Sequence, residues 1–463
     1  MNIILLQPYF DSHIIAPPLS LGYLASTLQQ EKYHKVEIID CNAKAIKLPT
    51  LLTILKEKKP DLVGVTILSN FFSEAREAIL KIKEISPAKI AIGGPHVTAL
   101  PEFSLQETNA DYAIVGEGER TFAELVKFLC FSKPTLDEID GLVFRINGQI
   151  LRNKARSLIP DIDNLPFPAW DLLNPQDYPP APHGAFYKRF PVAPIITTRG
   201  CPFSCKFCSS AVTWRKILRK RNPKSVVDEI QLLRDNYNIK EFHFEDDNFT
   251  ISREHAISIC QEIIKRKLDI VWAAPNGIRV DSLDEELIKV MKQSGCYLLA
   301  FGIESGAQEI LNHMDKKLDV KRISTILNTV QKYRIETWGF FIIGLPGETE
   351  ETIQQTISLS RRLPLNRAQF CNFTPLPGTT IFDDWVKDNK LSELEWSKLS
   401  FSGNAIYETD KLSQKKLTLL QKKAFRAFYF RPKVFLGTLF KIKPRQIKWL
   451  FKRFKAYSYL QVK

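Results

Sequence analysis

Short apolar runs alternate with amphipathic segments along most of this chain, and that alternation limits the fold more than any other feature. In the first 130 residues, segments with helical periodicity such as Leu19–Gln30 and Phe72–Ile85 separate the apolar runs. The strand candidates are Asn2–Gln7, Val36–Asp40, Leu62–Thr66, Lys89–Ile92 and Tyr112–Val115. Strands and helices that alternate at this length predict an α/β domain with a doubly wound parallel sheet over residues 1–130.

Residues 131–190 are predicted to be a connector, with a hairpin around Asn147-Gly148 and a proline-rich strap after it. From residue 191 to residue 385 the alternation of strands and helices resumes. The strand candidates there are Pro194–Thr198, Glu241–Glu245, Ile270–Pro275, Tyr297–Gly302, Thr337–Ile343 and Ala368–Thr374. These repeated units predict a complete or partial (βα)6 barrel, whose site lies at the carboxyl ends of its strands.

Composition narrows the class of protein further. Hydrophobic residues make up 44% of the 463 residues, which is enough for a large buried core. No apolar run approaches the ~18 residues of a membrane-spanning helix. The N-terminal segment MNIILLQPYFDSH lacks a basic region and a cleavage site, so it is predicted to be a strand rather than a signal peptide. Together these features predict a cytoplasmic protein.

Three of the eight cysteines lie close together in the segment TTRGCPFSCKFCSS, at the end of the first predicted barrel strand. Cys201, Cys205 and Cys208 have the spacing Cys-x3-Cys-x2-Cys, and thiolates are the usual ligands of iron–sulfur clusters. Three ligands for a four-iron cluster leave one iron open to a substrate. A structural zinc site is the alternative, but it needs four closed ligands, and no companion cysteine pair is present. We therefore predict a [4Fe–4S] cluster.

At these residues the chain resembles the radical S-adenosylmethionine superfamily, with Phe207 as the aromatic residue of its motif. The resemblance implies that the cluster cleaves S-adenosylmethionine to a 5′-deoxyadenosyl radical. It also implies cofactor contacts at later strand ends, where this sequence has FEDDNF, NGIRVD, FGIESG and FIIGLPGET. The candidates are Glu245, Asp246 and Asp247 for the methionine amino group, Arg279 for a carboxylate, Glu304 for the ribose hydroxyls, and Gly344 for a backbone contact to adenine. A solvated loop, a helix cap or a surface salt bridge is the alternative for the carboxylates and for Arg279.

The first domain resembles the cobalamin-binding, Rossmann-like domain fused to many radical S-adenosylmethionine enzymes. The segments PPLSLGYLAS, GGPHVTALPE and DYAIVGEGERTF carry this resemblance. The contact positions that it implies are Thr66, Ser69, Gly93, Gly94, Pro95, Gly116, Glu117 and Gly118. His13 is either an axial cobalt ligand or a plain loop histidine, and His96 is expected to be a pocket wall. A domain that keeps the fold but has lost cobalamin remains the alternative.

Basic residues are concentrated in the C-terminal region 386–463, which is predicted to be helical. Residues 411–463 contain 16 Lys and Arg and no Asp or Glu, whereas the first 410 residues carry 49 basic and 51 acidic side chains. Aromatic residues interleave with these charges, as at Phe425, Phe428 and Tyr429 and again at Trp449, Leu450, Phe454 and Tyr457. This pattern favours peripheral docking on an anionic membrane surface over nucleic acid, which is not expected as a partner. Packing of the aromatic face on the barrel is the alternative.

Both resemblances together imply a cobalamin-dependent radical S-adenosylmethionine enzyme that methylates an unactivated carbon of a small-molecule or lipid-like substrate. A second S-adenosylmethionine would restore the methyl group on cobalamin, and a flavodoxin or ferredoxin would supply electrons. An oxidative cyclase or rearrangement enzyme with the same cofactors, a tRNA-modifying enzyme, and a redox or regulatory protein with a structural cluster are the alternatives.

Overall fold

The computed structural model describes residues 1–439, except residue 13, residues 31–34, 181–186, 389–390 and 400–402, and it also describes residues 444 and 447. His13, Trp449, Leu450, Phe454 and Tyr457 lie outside the described residues. The chain divides into two compact units. The first contains residues 1–179, 209–215 and 376–397, and the second contains residues 180–208, 216–375 and 398–463.

The first unit is built on a seven-stranded sheet with the strand order β2-β1-β3-β4-β5-β6-β7. Its strands are β1 (Asn2–Gln7), β2 (Lys35–Asp40), β3 (Leu62–Thr66), β4 (Lys89–Gly93), β5 (Tyr112–Ile114), β6 (Leu142–Ile146) and β7 (Gln149–Arg152). Its first helices are α1 (Leu19–Gln29), α2 (Leu48–Lys58), α3 (Phe72–Ile85), α4 (Pro95–Ala99), α5 (Pro101–Thr108) and α6 (Gly118–Phe131). Strands β1 to β5 are parallel, and the β6–β7 hairpin extends the sheet in antiparallel pairing.

The sequence explains this sheet directly. Ile3, Ile4, Leu5 and Leu6 of β1 are all fully buried, because a parallel strand covered by helices on both faces has no solvent side. The strand order reverses between β1 and β3, and ligands of such sheets bind at the carboxyl edge near that reversal. The parallel sheet predicted for the first domain is confirmed.

The chain from residue 191 onward forms the rest of the elements. Its strands are β8 (Val192–Ile195), β9 (Thr198–Arg199), β10 (Arg219–Lys220), β11 (Glu241–Phe244), β12 (Val271–Ile278), β13 (Cys296–Glu304), β14 (Glu336–Ile343) and β15 (Arg367–Asn372). Its helices are α7 (Ser210–Trp214), α8 (Pro223–Tyr237), α9 (Arg253–Lys265), α10 (Glu285–Gln293), α11 (Gln308–His313), α12 (Val320–Lys332), α13 (Glu350–Arg362), α14 (Thr380–Asp388), α15 (Gln414–Tyr429) and α16 (Pro432–Leu439).

The second unit contains a six-stranded parallel sheet with the order β15-β14-β13-β12-β11-β8. Neighbours in this sheet are consecutive strand–helix units of the chain, as in a partial barrel. The predicted fold class, an α/β protein with a parallel sheet followed by a partial (βα)6 barrel, is confirmed.

Two segments have positions that the sequence did not predict. Strands β6 and β7 lie within the predicted connector yet belong to the first sheet. The segment with α14 follows the barrel strands in sequence yet packs in the first unit, where Trp396 contacts the rings of Phe72, His96 and Phe103. The predicted domain boundaries at residues 130, 190 and 385 stay predictions.

Helix α15 packs on the last barrel strand. Phe428 is fully buried against Phe370, the Gln421 amide donates to the Phe370 carbonyl, and the Tyr429 hydroxyl donates to the Ala368 carbonyl. For this helix the aromatic face is therefore occupied by the protein itself, which corrects the expectation that Phe428 and Tyr429 face a membrane. In the part of the chain that the structure describes, no helix is long and apolar enough to span a membrane.

Candidate functional site

The cysteine loop leaves β9 through Gly200, whose φ of +94° is a backbone conformation that favours glycine. Cys201 and Cys205 are half-buried, Cys208 is exposed, and none of the three forms a disulfide. The Cys208 amide donates to the Cys205 carbonyl at 3.1 Å, so the last two cysteines share one turn. The loop therefore presents three cysteine sulfurs, none of them in a disulfide, within eight residues.

Two buried cations face this loop. Burial raises the pKa of the Cys205 thiol, while the positive charges of Lys316 and Arg279 oppose that rise, and the same two cations act on Cys201. The Arg279 guanidinium lies 3.9 Å from the centre of the Phe203 ring in the loop, and Lys316 Nζ lies 5.8 Å from the centre of the Phe207 ring. Positive charge at this place favours thiolates, which are the form that binds iron.

Arg279 has its donors occupied within the protein. Its Nε and Nη2 donate to the Asp281 carboxylate at 2.9 and 2.7 Å, and the guanidinium also donates to the backbone carbonyls of Lys316 and Lys317. The sequence predicted that Arg279 clamps a carboxylate, and the carboxylate that it clamps here is Asp281. Because Arg279 also stacks on Phe203, it joins the cysteine loop to the turn at residues 315–317.

Glu304 ends β13 with a positive φ of +67°, which is uncommon for a residue other than glycine and often marks a functional site. Its carboxylate is buried and pairs with Lys316 Nζ at 2.9 Å. A Cβ at Gly302 would lie 2.5 Å from Glu304 Oε1 and 3.1 Å from Lys316 Nζ, so this glycine makes room for the pair. The predicted ribose contact is thus a carboxylate already oriented by a buried lysine.

The three acidic residues after β11 have different surroundings. Asp246 is buried, and its Oδ1 accepts from the amides and hydroxyls of both Thr197 and Thr198, just before the cysteine loop. Burial raises the pKa of Asp246 to about 6. Glu245 is half-buried and accepts from the Asn276 amide at 2.8 Å, and Asp247 is exposed. Asp246 thus holds the strand end, while Glu245 and Asp247 have the more open positions for a ligand's ammonium group.

Gly344 directly follows β14 and has a φ of +90°, and its amide donates to Glu348 Oε2 at 2.7 Å. The same oxygen accepts from the Leu345 amide, and the Ser305 hydroxyl lies 3.5 Å from Glu348 Oε1. Glu348 is fully buried, and burial raises its pKa to about 7. This carboxylate therefore ties together the ends of β13 and β14, where Glu304 and Gly344 lie.

In the first unit, the structure brings the predicted cobalamin contacts to one edge of the sheet. They follow β3, β4 and β5, which are neighbouring strands: Thr66 and Ser69 at β3, Gly93, Gly94 and Pro95 at β4, and Gly116, Glu117 and Gly118 at β5. A Cβ at Gly93 would meet nothing closer than 3.9 Å, and a Cβ at Gly116 would meet nothing within 4 Å. This edge therefore has open space beside its backbone, as a flat, bulky ligand requires.

Some of these positions serve the protein itself. Gly94 has a φ of +104°, and a Cβ there would lie 2.7 Å from the Ile67 carbonyl, so the tight turn requires glycine. Glu117 is buried and accepts from the Ile159 amide at 2.8 Å. His96 is buried with Nδ1 3.1 Å from the Ser69 hydroxyl, and burial lowers its pKa to about 3. His96 is thus buried and neutral, and its place in the wall of a ligand pocket stays a prediction.

The residues present fit both metal-containing cofactors. In a four-iron cluster each thiolate binds a different iron, so the cysteines do not have to converge on one point. Among the described residues, no three His, Cys, Asp or Glu side chains converge as ligands of a single metal ion. Three cysteines outside any disulfide, two nearby cations and an exposed Cys208 suit a cluster, and the open glycine edge suits cobalamin. The assignment of each predicted site residue stays a prediction.

Sequence reasoning missed Lys316 and Glu348. Lys316 lies in the unremarkable segment HMDKKLD, where its neighbour Lys317 is also a lysine and is exposed. Glu348 lies four residues after Gly344 in the segment GLPGET. An acid so close to a glycine turn can accept hydrogen bonds from the backbone amides of that turn, and this proximity is the sequence signal that could have identified Glu348.

Comparison with known proteins agrees with this geometry. The Radical SAM superfamily model matches residues 195–360, and the B12 binding domain model matches residues 11–126. An anaerobic magnesium-protoporphyrin IX monomethyl ester cyclase of Rubrivivax gelatinosus is 28% identical over 446 residues, which are 95% of this chain and 78% of the cyclase. The solved structure of the radical S-adenosylmethionine methyltransferase TsrM from Kitasatospora setae shares the fold, with a TM-score of 0.73 at 17% identity over 99% of this chain and 100% of that chain.

An uncharacterised methyltransferase of Pyrococcus horikoshii is 35% identical over 450 residues, which are 95% of this chain and 95% of that protein. A relative this similar, matched along nearly its whole length, establishes the family. The chain belongs to the cobalamin-dependent radical S-adenosylmethionine methyltransferase family, whose cofactors are a [4Fe–4S] cluster, S-adenosylmethionine and cobalamin.

Proposed function

We propose that this protein transfers a methyl group to an unactivated carbon. The observation that carries the proposal is the similarity to a methyltransferase along 95% of both chains, with the cysteine loop and the open glycine edge present in one chain. When bound, the cluster supplies the electron that cleaves S-adenosylmethionine, and cobalamin carries the methyl group. The protein's own residues hold and orient these groups.

The geometry supports the following roles for the predicted site residues. Cys201, Cys205 and Cys208 hold the cluster. The Glu304 carboxylate, which the Lys316 ammonium holds in place, accepts hydrogen bonds from the ribose hydroxyls. Glu245 and Asp247 receive the methionine ammonium, because charge-assisted hydrogen bonds to carboxylates are the strong ones.

Other residues in this second unit position the contacts. Asp246 and Arg279 act on the cysteine loop through Thr197, Thr198 and Phe203. Glu348 fixes the Gly344 turn for the adenine contact.

Methyl-labelled S-adenosylmethionine tests the reaction. The protein is reconstituted anaerobically with iron, sulfide and cobalamin, reduced, and incubated with an extract of small molecules and lipids from its own host. Methyl transfer predicts 5′-deoxyadenosine, S-adenosylhomocysteine and a labelled carbon in a product. Deoxyadenosine formation without label in any product would exclude methyl transfer. Absence of deoxyadenosine would favour a redox or regulatory protein.

Oxidative cyclisation is the second candidate function, because a cyclase is 28% identical over 95% of this chain. A cyclase uses the same cofactors but leaves the label out of the product. The same experiment therefore separates the two reactions. A tRNA-modifying enzyme predicts label in bulk tRNA instead.

We further propose a lipid-like substrate reached from an anionic membrane surface, which the outer face of α15 and α16 supports. Leu419 is 55% exposed and lies on α15 between the exposed Lys415, Lys423 and Arg426. Phe430, Phe435 and Leu436 follow with exposures of 70%, 51% and 50%. Exposed aromatic and leucine side chains beside lysine and arginine suit the headgroup region of an anionic bilayer.

Vesicle co-sedimentation tests this surface. Phe430→Ser together with Phe435→Ser should lower binding to phosphatidylglycerol vesicles several-fold, whereas Phe131→Ser, a substitution of another exposed phenylalanine at 60% exposure, should not. Equal binding of wild type and the double variant, or tRNA binding in gel shift at physiological salt without vesicle binding, would contradict a membrane role.

A further inference from the structure

The cysteine loop is surrounded by exposed lysines. Lys206 lies inside the loop, and Lys216 and Lys220 follow shortly after it in sequence. We propose that this surface is the docking site of a small acidic protein that delivers single electrons to the cluster. The proposal rests on the cluster at Cys201, Cys205 and Cys208 and holds for either reaction, methyl transfer or cyclisation.

Lys206 belongs to the loop, Lys216 contacts it, and Lys220 lies on β10, where it pairs with Thr198 of the strand that leads into the loop. Lys216 Nζ donates to the Ser204 hydroxyl at 3.2 Å, which places an exposed ammonium against the cysteine loop. The Lys206 amide donates to the Met314 carbonyl at 3.0 Å, so the loop adjoins the turn that contains Lys317. The Lys317 side chain is 72% exposed. Several segments of the second unit thus carry lysines to one neighbourhood.

An apolar residue and a cluster ligand are exposed at the same place. Ile217, next to Lys216, has an exposed fraction of 50%, and Cys208 is the exposed cysteine of the loop. Transient interfaces typically combine a small apolar centre with a charged, solvated rim. An exposed ligand gives a partner's redox group a short path to the iron.

The charge of this neighbourhood differs from that of the rest of the enzyme body. Residues 1–410 carry 49 basic and 51 acidic side chains, so a local excess of lysine is not a general property of the chain. Asp247 is an exposed acid near Cys201, and Asp315 lies 3.7 Å from Lys317. Lysines still outnumber acids among these residues, and positive surfaces of this kind steer acidic proteins toward productive encounters.

The chemistry at this surface is a simple electron transfer. The reduced carrier loses one electron, the cluster gains one electron, and no bond forms or breaks in this step. A reduced flavodoxin is a suitable probe, since it is a small acidic one-electron donor. No other oxidant or reductant is needed.

Reduction kinetics of the reconstituted enzyme test the proposal in the absence of substrate, so that the outcome does not depend on which reaction follows. Lys206→Glu combined with Lys220→Glu should slow cluster reduction by photoreduced flavodoxin at least about 10-fold at low salt. The wild-type rate should fall steeply with ionic strength. Lys265→Glu, on α9 with a side chain that is 75% exposed, is the matched control and should keep the wild-type rate.

A small reductant distinguishes docking from damage. The methyl viologen radical is cationic, so the double variant should be reduced by it at least as fast as wild type. Ile217→Ser should slow cluster reduction by flavodoxin but not cluster reduction by the viologen radical. If flavodoxin reduces wild type and the double variant equally fast, or if its rate with wild type does not depend on salt, the docking site is wrong. If the double variant is also reduced more slowly by the viologen radical, the neutral variant Lys206→Gln with Lys220→Gln is used instead of the charge reversal. An unchanged rate of cluster reduction by flavodoxin in that variant also refutes the proposal.

Discussion

Replacing Lys316 with methionine should destabilise the protein strongly, because it leaves the Glu304 carboxylate buried without its cation. The two charged atoms lie 2.9 Å apart, and the side chains of Lys316 and Glu304 are 9% and 10% exposed. At an effective dielectric constant of about 20, their attraction amounts to about 6 kcal/mol. Desolvation offsets much of this, yet breaking one partner of a buried pair typically costs about 3–5 kcal/mol.

The double variant Lys316→Met, Glu304→Gln should recover most of that loss. Replacing both partners of a buried pair by neutral groups is often close to neutral, because no buried charge is left. We therefore expect the double variant to lie within about 2 kcal/mol of wild type. Lys317→Met is the matched control, and it should change stability by no more than about 0.5 kcal/mol because that side chain is 72% exposed.

Urea unfolding of the apoprotein, followed by circular dichroism and tryptophan fluorescence, measures these changes as shifts of the transition that belongs to the second unit. The comparison among variants needs only an unchanged slope of the transition. A Lys316→Met variant within 1 kcal/mol of wild type would show that the carboxylate finds another partner. A double variant as unstable as the single one would show that lysine packing, rather than charge, supplies the stability.

Other predictions concern α15, the glycine edge and Glu348. Phe428→Ala should cost about 3–5 kcal/mol by thermal or urea unfolding, whereas Phe430→Ala should have little effect, because the first ring is fully buried and the second is 70% exposed. Gly94→Ala should destabilise the first unit, since φ is +104° there. Gly93→Ala should fold normally but weaken cobalamin binding in a titration, because a Cβ there has space on the protein side and would point toward the proposed ligand. Undiminished binding would refute the proposed contact. Burial raises the pKa of Glu348 to about 7, so the folded state binds its proton more tightly than the unfolded state, and stability falls as pH rises from about 4.5 to 7. Glu348→Gln should remove up to about 3 kcal/mol of that fall, and identical pH profiles of wild type and variant would contradict this origin.

The sequence predicted the layered fold because each parallel strand carries its own periodic signal. Strand candidates such as Leu62–Thr66 coincide with observed strands, since buried parallel strands are apolar on both faces. The segment at residues 376–397 carries no such signal. Trp396 is one of three aromatic residues there, with Phe382 and Trp385, and only the folded structure shows that its ring packs on Phe72 and His96.

The C-terminal region shows why an amphipathic pattern is ambiguous. A sequence pattern with an apolar stripe flanked by lysines is expected both for a helix on a bilayer and for a helix packed on a protein surface. The buried ring of Phe428 and the hydrogen bond of Tyr429 to Ala368 assign that stripe of α15 to the barrel. The opposite stripe, with Leu419 and Phe430, carries the remaining hypothesis of membrane docking.

At the site, motifs predict ligands better than they predict partners. The spacing of three cysteines is a local property, so it can be read from the chain. Asp246 and Lys316 acquire their roles through contacts 48 and 12 residues away, with Thr198 and Glu304. A sequence gives no register for such contacts, and it therefore treats Asp246 as equivalent to its acidic neighbours.

Lys316 acts through its positive charge on two neighbouring groups. Its ammonium compensates the Glu304 carboxylate, and the same charge lies close enough to the cysteine loop to oppose the rise in the pKa of Cys205 that burial causes. The double variant that restores stability should therefore not restore the reactivity of the Cys205 thiol. In the apoprotein, Lys316→Met, Glu304→Gln should react more slowly than wild type with iodoacetamide at Cys205 near neutral pH, because losing the lysine charge raises the pKa of Cys205 more than losing the Glu304 charge lowers it. Stability and thiol reactivity would then separate in one variant, which is expected only if the lysine acts by charge on both partners.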